Sequence, residues 1–184
     1  CAGDSGASSA CVNNGCTNIC GTVQKWYEAL AELCDVPLFV LDVPFQRRSP
    51  AEPHLLAYVA AQMRELVDWL ESHTDRKLDP ERFREVLEHS REAVALWQEI
   101  LSFGQYRPSP VNAPDLFIAM SPIVALRGTR QVIDVYRGFK AELEERTVQG
   151  VGAVPGERYR LLWDNIAIWY RLHRFFRPFM NAGA

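Results

Sequence analysis

Read for the spacing of its apolar residues, the chain falls into helices joined by two short apolar runs. Val23, Trp26, Tyr27, Leu30 and Leu33 stand three and four apart. That spacing predicts a helix over residues 23–34, with Thr22 as its cap, Asp35 as its end and Pro37 just beyond. "LFVLDV" follows at once, apolar and bounded by Pro37 and Pro44, which is how a buried parallel strand reads. Helix, short link and apolar strand make half of an α/β repeat.

The middle of the chain changes character. Over roughly 50–72 an apolar stripe of Leu56, Val59, Met63, Leu66 and Leu70 predicts a long helix. "LDPERFREVLEHSREAVALWQEILSFG" predicts a second, with Asp79 as cap and Pro80 in its first turn. "YRPSPVNAPD" is too rich in proline to be anything but a turn or link. A third long helix is predicted over 129–148; Gly138 inside it costs about 1 kcal/mol against Ala, so a close packing contact is expected there. After the glycine-rich break "QGVGAVPGE", "RYRLLWDN" reads as a second strand and "IAIWYRLHRFF" as the helix that follows.

The predicted fold class is therefore α/β and helix-rich overall: two incomplete Rossmann-like lobes flanking a mainly helical middle region. Residues 1–10 form a flexible or foreign N-terminus, 11–48 the end of the first lobe, 49–150 the helical region and 151–184 the start of the second lobe. The opening "CAGDSGASSA" fits a processed lipoprotein or a chain cut from something longer. The second is favoured, because "FFRPFMNAGA" also stops without a closing element.

Composition narrows the function classes. At 184 residues, with 48% hydrophobic and 23% charged residues, the chain can form a real core and reads as a soluble globular protein. A net charge of -3 without a basic cluster gives no footprint for nucleic acid. The longest apolar run, "VPLFVLDVPF", is too short to span a bilayer and is interrupted by Asp42, so no membrane partner is expected. Five cysteines, at 1, 11, 16, 20 and 34, are odd in number and crowded into the first fifth of the chain. They make a poor disulfide framework, and a reduced, cytoplasmic setting is expected.

Cys11, Cys16 and Cys20 give C-x4-C-x3-C. No zinc ribbon has that spacing, and plant-type ferredoxin spacing differs by one residue and by a fourth ligand. Position says more than spacing. Cys20 lies two residues before the predicted cap, where unpaired N–H groups and the helix dipole favour an anion. It is either a metal ligand or nucleophile, or a small buried hydrophobe of the kind free cysteine often is. Cys16 is a weaker candidate, and Cys34, on the helix, weaker still.

"NNGCTNICGTVQKWYEALAELCDVPLFVLDVPF" resembles the second cysteine motif of the 2-hydroxyacyl-CoA dehydratase family (the D-component type of 2-hydroxyglutaryl-CoA dehydratase), which also contains the benzoyl-CoA reductase subunits. "PIVALRGTRQVIDVYRGFKAELEER", "GVGAVPGERYRLL" and "WDNIAIWYRL" resemble the same family, in family order. The resemblance runs from about residue 11 to the C-terminus. It implies an anaerobic lyase: one subunit of a heterodimer with a homologous second subunit, an ATP-dependent iron–sulfur activator protein and an acyl-CoA substrate. It also implies a [4Fe–4S] cluster, with flavin as a further cofactor option. Three cysteines from three motifs hold such a cluster in the family. Cys20, directly before Gly-Thr-Val, is the position carried over, and Cys16 falls where a non-ligand is expected. Cys1 is the one upstream candidate, in surroundings that do not match the motif. The downstream ligand is expected beyond Ala184, so the stretch by itself is expected to be inactive.

The chemistry explains the cofactor. The β-hydrogen of a hydroxyacyl-CoA is hardly acidic; one electron added to the thioester carbonyl gives a ketyl radical anion, which expels hydroxide and acidifies that proton. A cluster held by three thiolates keeps one iron open to polarise the carbonyl oxygen. Benzoyl-CoA reduction applies the same logic to an aromatic ring.

Other candidates carry two readings each. Trp163 and Asp164 sit at a predicted strand-to-helix junction, a usual place for ligands, but Asp164 or Asn165 equally reads as a helix cap. Glu157 and Arg158 follow a glycine-rich turn and are either substrate contacts or a surface ion pair. Arg127 in "LRGT" is either a CoA-phosphate contact or a cap on the preceding short helix. The histidines, 54, 73, 89 and 173, are dispersed without ligand spacing, and Trp26 and Trp97 are expected in the core. Two further hypotheses remain beside a catalytic role: a non-catalytic structural partner of the same fold, and a secreted lipoprotein with Cys1 lipidated and the other cysteines paired.

Overall fold

The computed structural model describes residues 12–46, 50, 52–164 and 166–184. The chain divides into two compact units, Cys1–Asp79 and Pro80–Ala184. The described residues form a helix-rich α/β structure with one small parallel sheet.

In the first unit β1 (Asn13–Cys16) leads through α1 (Gly21–Cys34) to β2 (Leu38–Leu41), and α2 (Pro53–His73) follows. The strands run parallel, with Asn13 opposite Leu38 and Cys16 opposite Leu41. Asn13 N donates to Pro37 O at 2.9 Å and Thr17 N to Leu41 O at 2.9 Å, continuing the ladder past both strand ends. β2 is the strand that "LFVLDV" predicts. β1, "NNGC", has no apolar run to announce it; pairing with β2 makes it a strand. Gly15 is needed there, since a Cβ at that position would stand 2.7 Å from the Tyr27 ring. Asn13 Nδ2 also donates to Tyr27 O at 3.0 Å, tying α1 to the strand.

Two expectations for α1 are corrected. Its N-cap is Cys20, with extended φ/ψ of −65° and 145°, and Thr22 lies inside the helix. Val23 N and Gln24 N both donate to Cys20 O, so the first turn closes two residues earlier than a threonine cap requires. Trp26 is not core: it is 61% exposed, and Leu30 and Leu33 also face solvent. Val23 and Tyr27 are the half-buried members of the apolar set, because a sheet of two strands is too narrow to cover the whole face. Asp35 ends the helix as predicted, in the left-handed region at φ 50°.

The second unit is built on two long helices, α3 (Pro80–Ser102) and α6 (Arg130–Gln149), with short α4 (Ala113–Ala119) and α5 (Ser121–Ala125) between them and α7 (Leu172–Asn181) after. Ala93 and Ile100 from α3 meet Val132, Ile133, Tyr136 and Leu143 from α6 in the core. Trp97 stacks on Tyr136 with centroids 5.4 Å apart, in the predicted core position. The buried Tyr136 hydroxyl accepts from Ile123 N at 3.1 Å and donates to Ala119 O at 2.9 Å, which fixes α4 and α5 on α6. A second cluster joins Ala167, Leu172 and Phe176 to Phe117.

Three more expectations change here. Gly138 has no neighbour within 4 Å of where a Cβ would be, so nothing packs against it. Residues 158–164 form neither helix nor strand. A strand needs a ladder partner, and among the described residues this segment has none; instead Arg158 N and Tyr159 N both donate to Gly183 O, at 2.8 and 2.9 Å. The helix expected from residue 166 begins with a short 3-10 turn at Trp169–Arg171 and becomes α-helical at Leu172. No helix of the described residues is long and apolar enough to cross a membrane.

Candidate functional site

The C-terminal ends of β1 and β2 lie side by side, and the loop leaving β1 carries Cys20. Ligand sites of parallel sheets collect at that edge. Cys20 is exposed and caps the 14-residue α1 without a side-chain hydrogen bond of its own. It stands beside the Gly21 and Thr22 N–H groups, the two of the first turn without an acceptor in the helix, where negative charge is favoured.

A polar network braces this edge. Thr17 Oγ1 accepts from Val43 N at 2.8 Å and donates to Asp42 Oδ1 at 2.9 Å. Tyr58 OH donates to the other carboxylate oxygen, Asp42 Oδ2, at 2.8 Å. That bond, with burial and the charges of Asp42 and Glu65, holds the Tyr58 phenol above its ordinary pKa. From α2, Gln62 Oε1 accepts from Asp42 N and Gln62 Nε2 donates to Asp42 O, both at 2.7 Å. Beside the strands a cavity of about 270 Å³ is lined by Cys16, Ile19, Tyr27, Phe39 and Leu41.

Thr17, Asp42, Tyr58 and Gln62 form a polar network on the edge that carries Cys20, and sequence reasoning missed them. Two signals pointed to them: Asp42 is the charge that interrupts the run "VPLFVLDVPF", and Gln62 is a polar residue within the apolar stripe of α2, between Val59 and Leu66.

As a cluster site this edge is incomplete among the described residues. No group of three or more His, Cys, Asp or Glu side chains that could hold a metal ion occurs among them. Cys34 closes the far end of α1, about 20 Å from Cys20 by helix rise. Cys16 is half-buried on β1. Cys1 and Cys11 lie outside the described residues. By its exposure and its place at a helix N-terminus, Cys20 fits the part of a single thiolate ligand.

The other predicted site residues belong to the second unit. Glu157 accepts from Ser109 N at 2.6 Å through Oε2 and from Arg160 Nε at 2.7 Å through Oε1. Burial pushes its pKa up; the Ser109 N–H, the Arg160 bond and the charges of Arg160 and Arg107 outweigh that and hold the carboxyl below its ordinary value. Arg158 donates to Ala182 O at 2.9 Å and lies over the Tyr159 ring at 5.4 Å. Trp163 packs edge-on against Phe175 and Phe176, with centroids 5.0 and 5.6 Å away, and its Nε1 donates to Ile166 O at 3.4 Å. Asp164 is exposed and is not a helix cap, since the turn that follows is capped at Ile168; Asn165 lies outside the described residues. Arg127 is exposed, one residue past Leu126, the C-cap of α5.

Residues 9–184 match the family model described as 2-hydroxyglutaryl-CoA dehydratase, D-component. The alpha subunit of lactoyl-CoA dehydratase from Anaerotignum propionicum is 38% identical over 170 residues, which is 92% of this chain and 40% of that protein. The (R)-phenyllactyl-CoA dehydratase alpha subunit of Clostridium sporogenes is 34% identical over 161 residues, 86% of this chain and 40% of that protein. One of the subunits of benzoyl-CoA reductase from Thauera aromatica is 27% identical over 174 residues, 90% of this chain and 40% of that protein. The chain thus spans about two fifths of the length of these relatives. With the family model matching nearly its whole length, the chain belongs to the 2-hydroxyglutaryl-CoA dehydratase D-component family.

Proposed function

We propose that this chain is part of an iron–sulfur 2-hydroxyacyl-CoA dehydratase subunit, and that Cys20 supplies one thiolate to its [4Fe–4S] cluster. The observation that carries the reading is the placement of Cys20: exposed, at the N-cap of α1, on the strand-end edge of the parallel pair. Cys20 would hold one iron of a cluster whose chemistry, when bound, would be the supply of an electron to a thioester carbonyl. What the chain's own residues do is hold the edge in shape. Gln62 fixes the Asp42 peptide, the Asp42 carboxylate takes the Thr17 and Tyr58 hydroxyls, and Thr17 anchors the start of the Cys20 loop. The relatives' names, as alpha subunits, support a homologous second subunit. The ATP-dependent activator and a flavin belong to the same reading, as does a second Rossmann-like lobe completed outside these residues. The match to a benzoyl-CoA reductase favours a second reading, aromatic-ring reduction by a protein of the same build.

The test is iron and acid-labile sulfide in the full polypeptide, purified anaerobically, beside Cys20→Ala. About four irons per chain in the parent, with loss of iron and of the visible absorption in the variant, is the expected result. Iron-free parent protein after reconstitution overturns the cluster assignment and leaves the structural-partner role.

A further inference from the structure

In the second unit a cleft of about 410 Å³ is lined by Arg107, Pro108, Gly156, Glu157, Arg158 and Arg160. Three guanidinium groups face one carboxylate, so the cleft is cationic. Their commitments differ. Arg160 is fully engaged: its Nε bonds Glu157, one terminal nitrogen bonds Gly104 O at 2.5 Å and the other bonds Tyr106 O. It neutralises Glu157 and locks residues 157–160 to the 104–106 turn. Arg158 spends one nitrogen on Ala182 O and keeps the rest of its fork. Arg107 makes no hydrogen bond or ion pair among the described residues, and its charge acts on Glu157 without a direct contact. Both Arg107 and Arg158 are exposed.

The scaffold fixes where Arg158 stands. Its backbone N–H and that of Tyr159 both bond Gly183 O. Gly183 has φ +87°, and a Cβ there would lie 3.1 Å from Gly156 O and 3.2 Å from Arg158 Nε. Only glycine lets the chain close this tightly behind the arginine. A surface arginine held only by solvent would have no such backing. Two forked, permanently charged donors lining one cleft have the chemistry that suits a phosphoryl group.

We propose that the cleft between Arg107 and Arg158 binds a phosphoryl group, and that the phosphates of an acyl-CoA are its source. The source rests on the dehydratase reading above; the phosphoryl chemistry rests on the cleft alone. Arg107 and Arg158 bind the anion, and Arg160 and Glu157 are positioning residues that hold the wall.

The probe is adenosine 3′,5′-bisphosphate, titrated calorimetrically into the full polypeptide, with adenosine and inorganic phosphate beside it. Arg107→Gln and Arg158→Lys are compared with the parent; Arg107 has no hydrogen bond to disrupt, and lysine keeps the charge of Arg158 while losing its fork. Thermal melts confirm that each variant is folded. Binding of the bisphosphate but not adenosine, weakened about tenfold or more in each variant, is the expected result. Inorganic phosphate binding as tightly as the bisphosphate, with the same loss in both variants, overturns the acyl-CoA source. Bisphosphate affinity unchanged in both folded variants, or no binding to the parent, overturns the site. The two readings fail separately. Arginine-dependent binding in a protein that holds no cluster would refute the dehydratase and leave the site standing. Hydroxyacyl-CoA turnover with KM unmoved in both variants would do the reverse.

Discussion

Gln62 grips the peptide of Asp42 from both sides, its amide oxygen accepting from the Asp42 N–H and its amide nitrogen donating to the Asp42 carbonyl, each at 2.7 Å. Gln62 is 9% exposed and is the buried polar side chain among the described residues. The pair joins α2 to the end of β2 where the strand ladder has run out. It does for one peptide what a neighbouring strand does for a whole edge, and the Asp42 carboxylate is thereby presented to Thr17 and Tyr58.

Gln62→Leu keeps the volume and removes both bonds. Leaving the Asp42 N–H and C=O short of partners is expected to cost about 1–3 kcal/mol. The loss should appear as faster hydrogen exchange at Asp42 and Val43 and as a lower unfolding midpoint in urea. Gln62→Glu, which retains the acceptor for the Asp42 N–H, should fall between. Exchange at these amides equal to that of the parent would show that the edge holds without Gln62.

Gly138 faces solvent in the middle of α6 with open space where a side chain would go. Replacing it by alanine should remove backbone entropy from the unfolded chain without a clash, a gain of about 0.5–1 kcal/mol. A thermal melt should rise by about 1–4 °C for a chain of this size. A fall in the midpoint would mean that the glycine serves a close contact after all.

The different fates of the predicted elements have a physical order. α2, α3 and α6 were legible because a long apolar stripe repeats often enough to set its own period, and their packing is mostly local to one unit. β2 was legible because apolar, β-branched residues bounded by prolines leave few other options. β1 was not: "NNGC" becomes a strand only by pairing with residues 38–41, a relation between segments that no local pattern carries. The segment 158–164 is the converse, a sequence with the look of a strand and no ladder partner among the described residues. The site divides in the same way. Cys20 could be placed near a helix start from its position in the chain. That it is the cap itself, and that Thr17, Asp42, Tyr58 and Gln62 form one network, depends on side chains distant in the chain meeting in space.

Glu157 should shape the acid side of the stability curve. Its folded pKa is depressed: burial opposes ionisation, but the Ser109 N–H, Arg160 and the charge of Arg107 favour the carboxylate more. A depressed carboxyl contributes stability that is full above its ordinary pKa and is lost as pH falls through the lower, folded value. Its side chain is 13% exposed, so solvent screens the pair only in part. Glu157→Gln removes the charge while keeping the shape, and is expected to cost about 1–2 kcal/mol at pH 7. Thermal melts of parent and variant, followed from pH 7 down to about 3, should therefore converge as the parent's carboxylate takes up its proton. A gap of constant size across that range would mean that the loss is one of packing, and that the ionised Glu157–Arg160 contact contributes nothing.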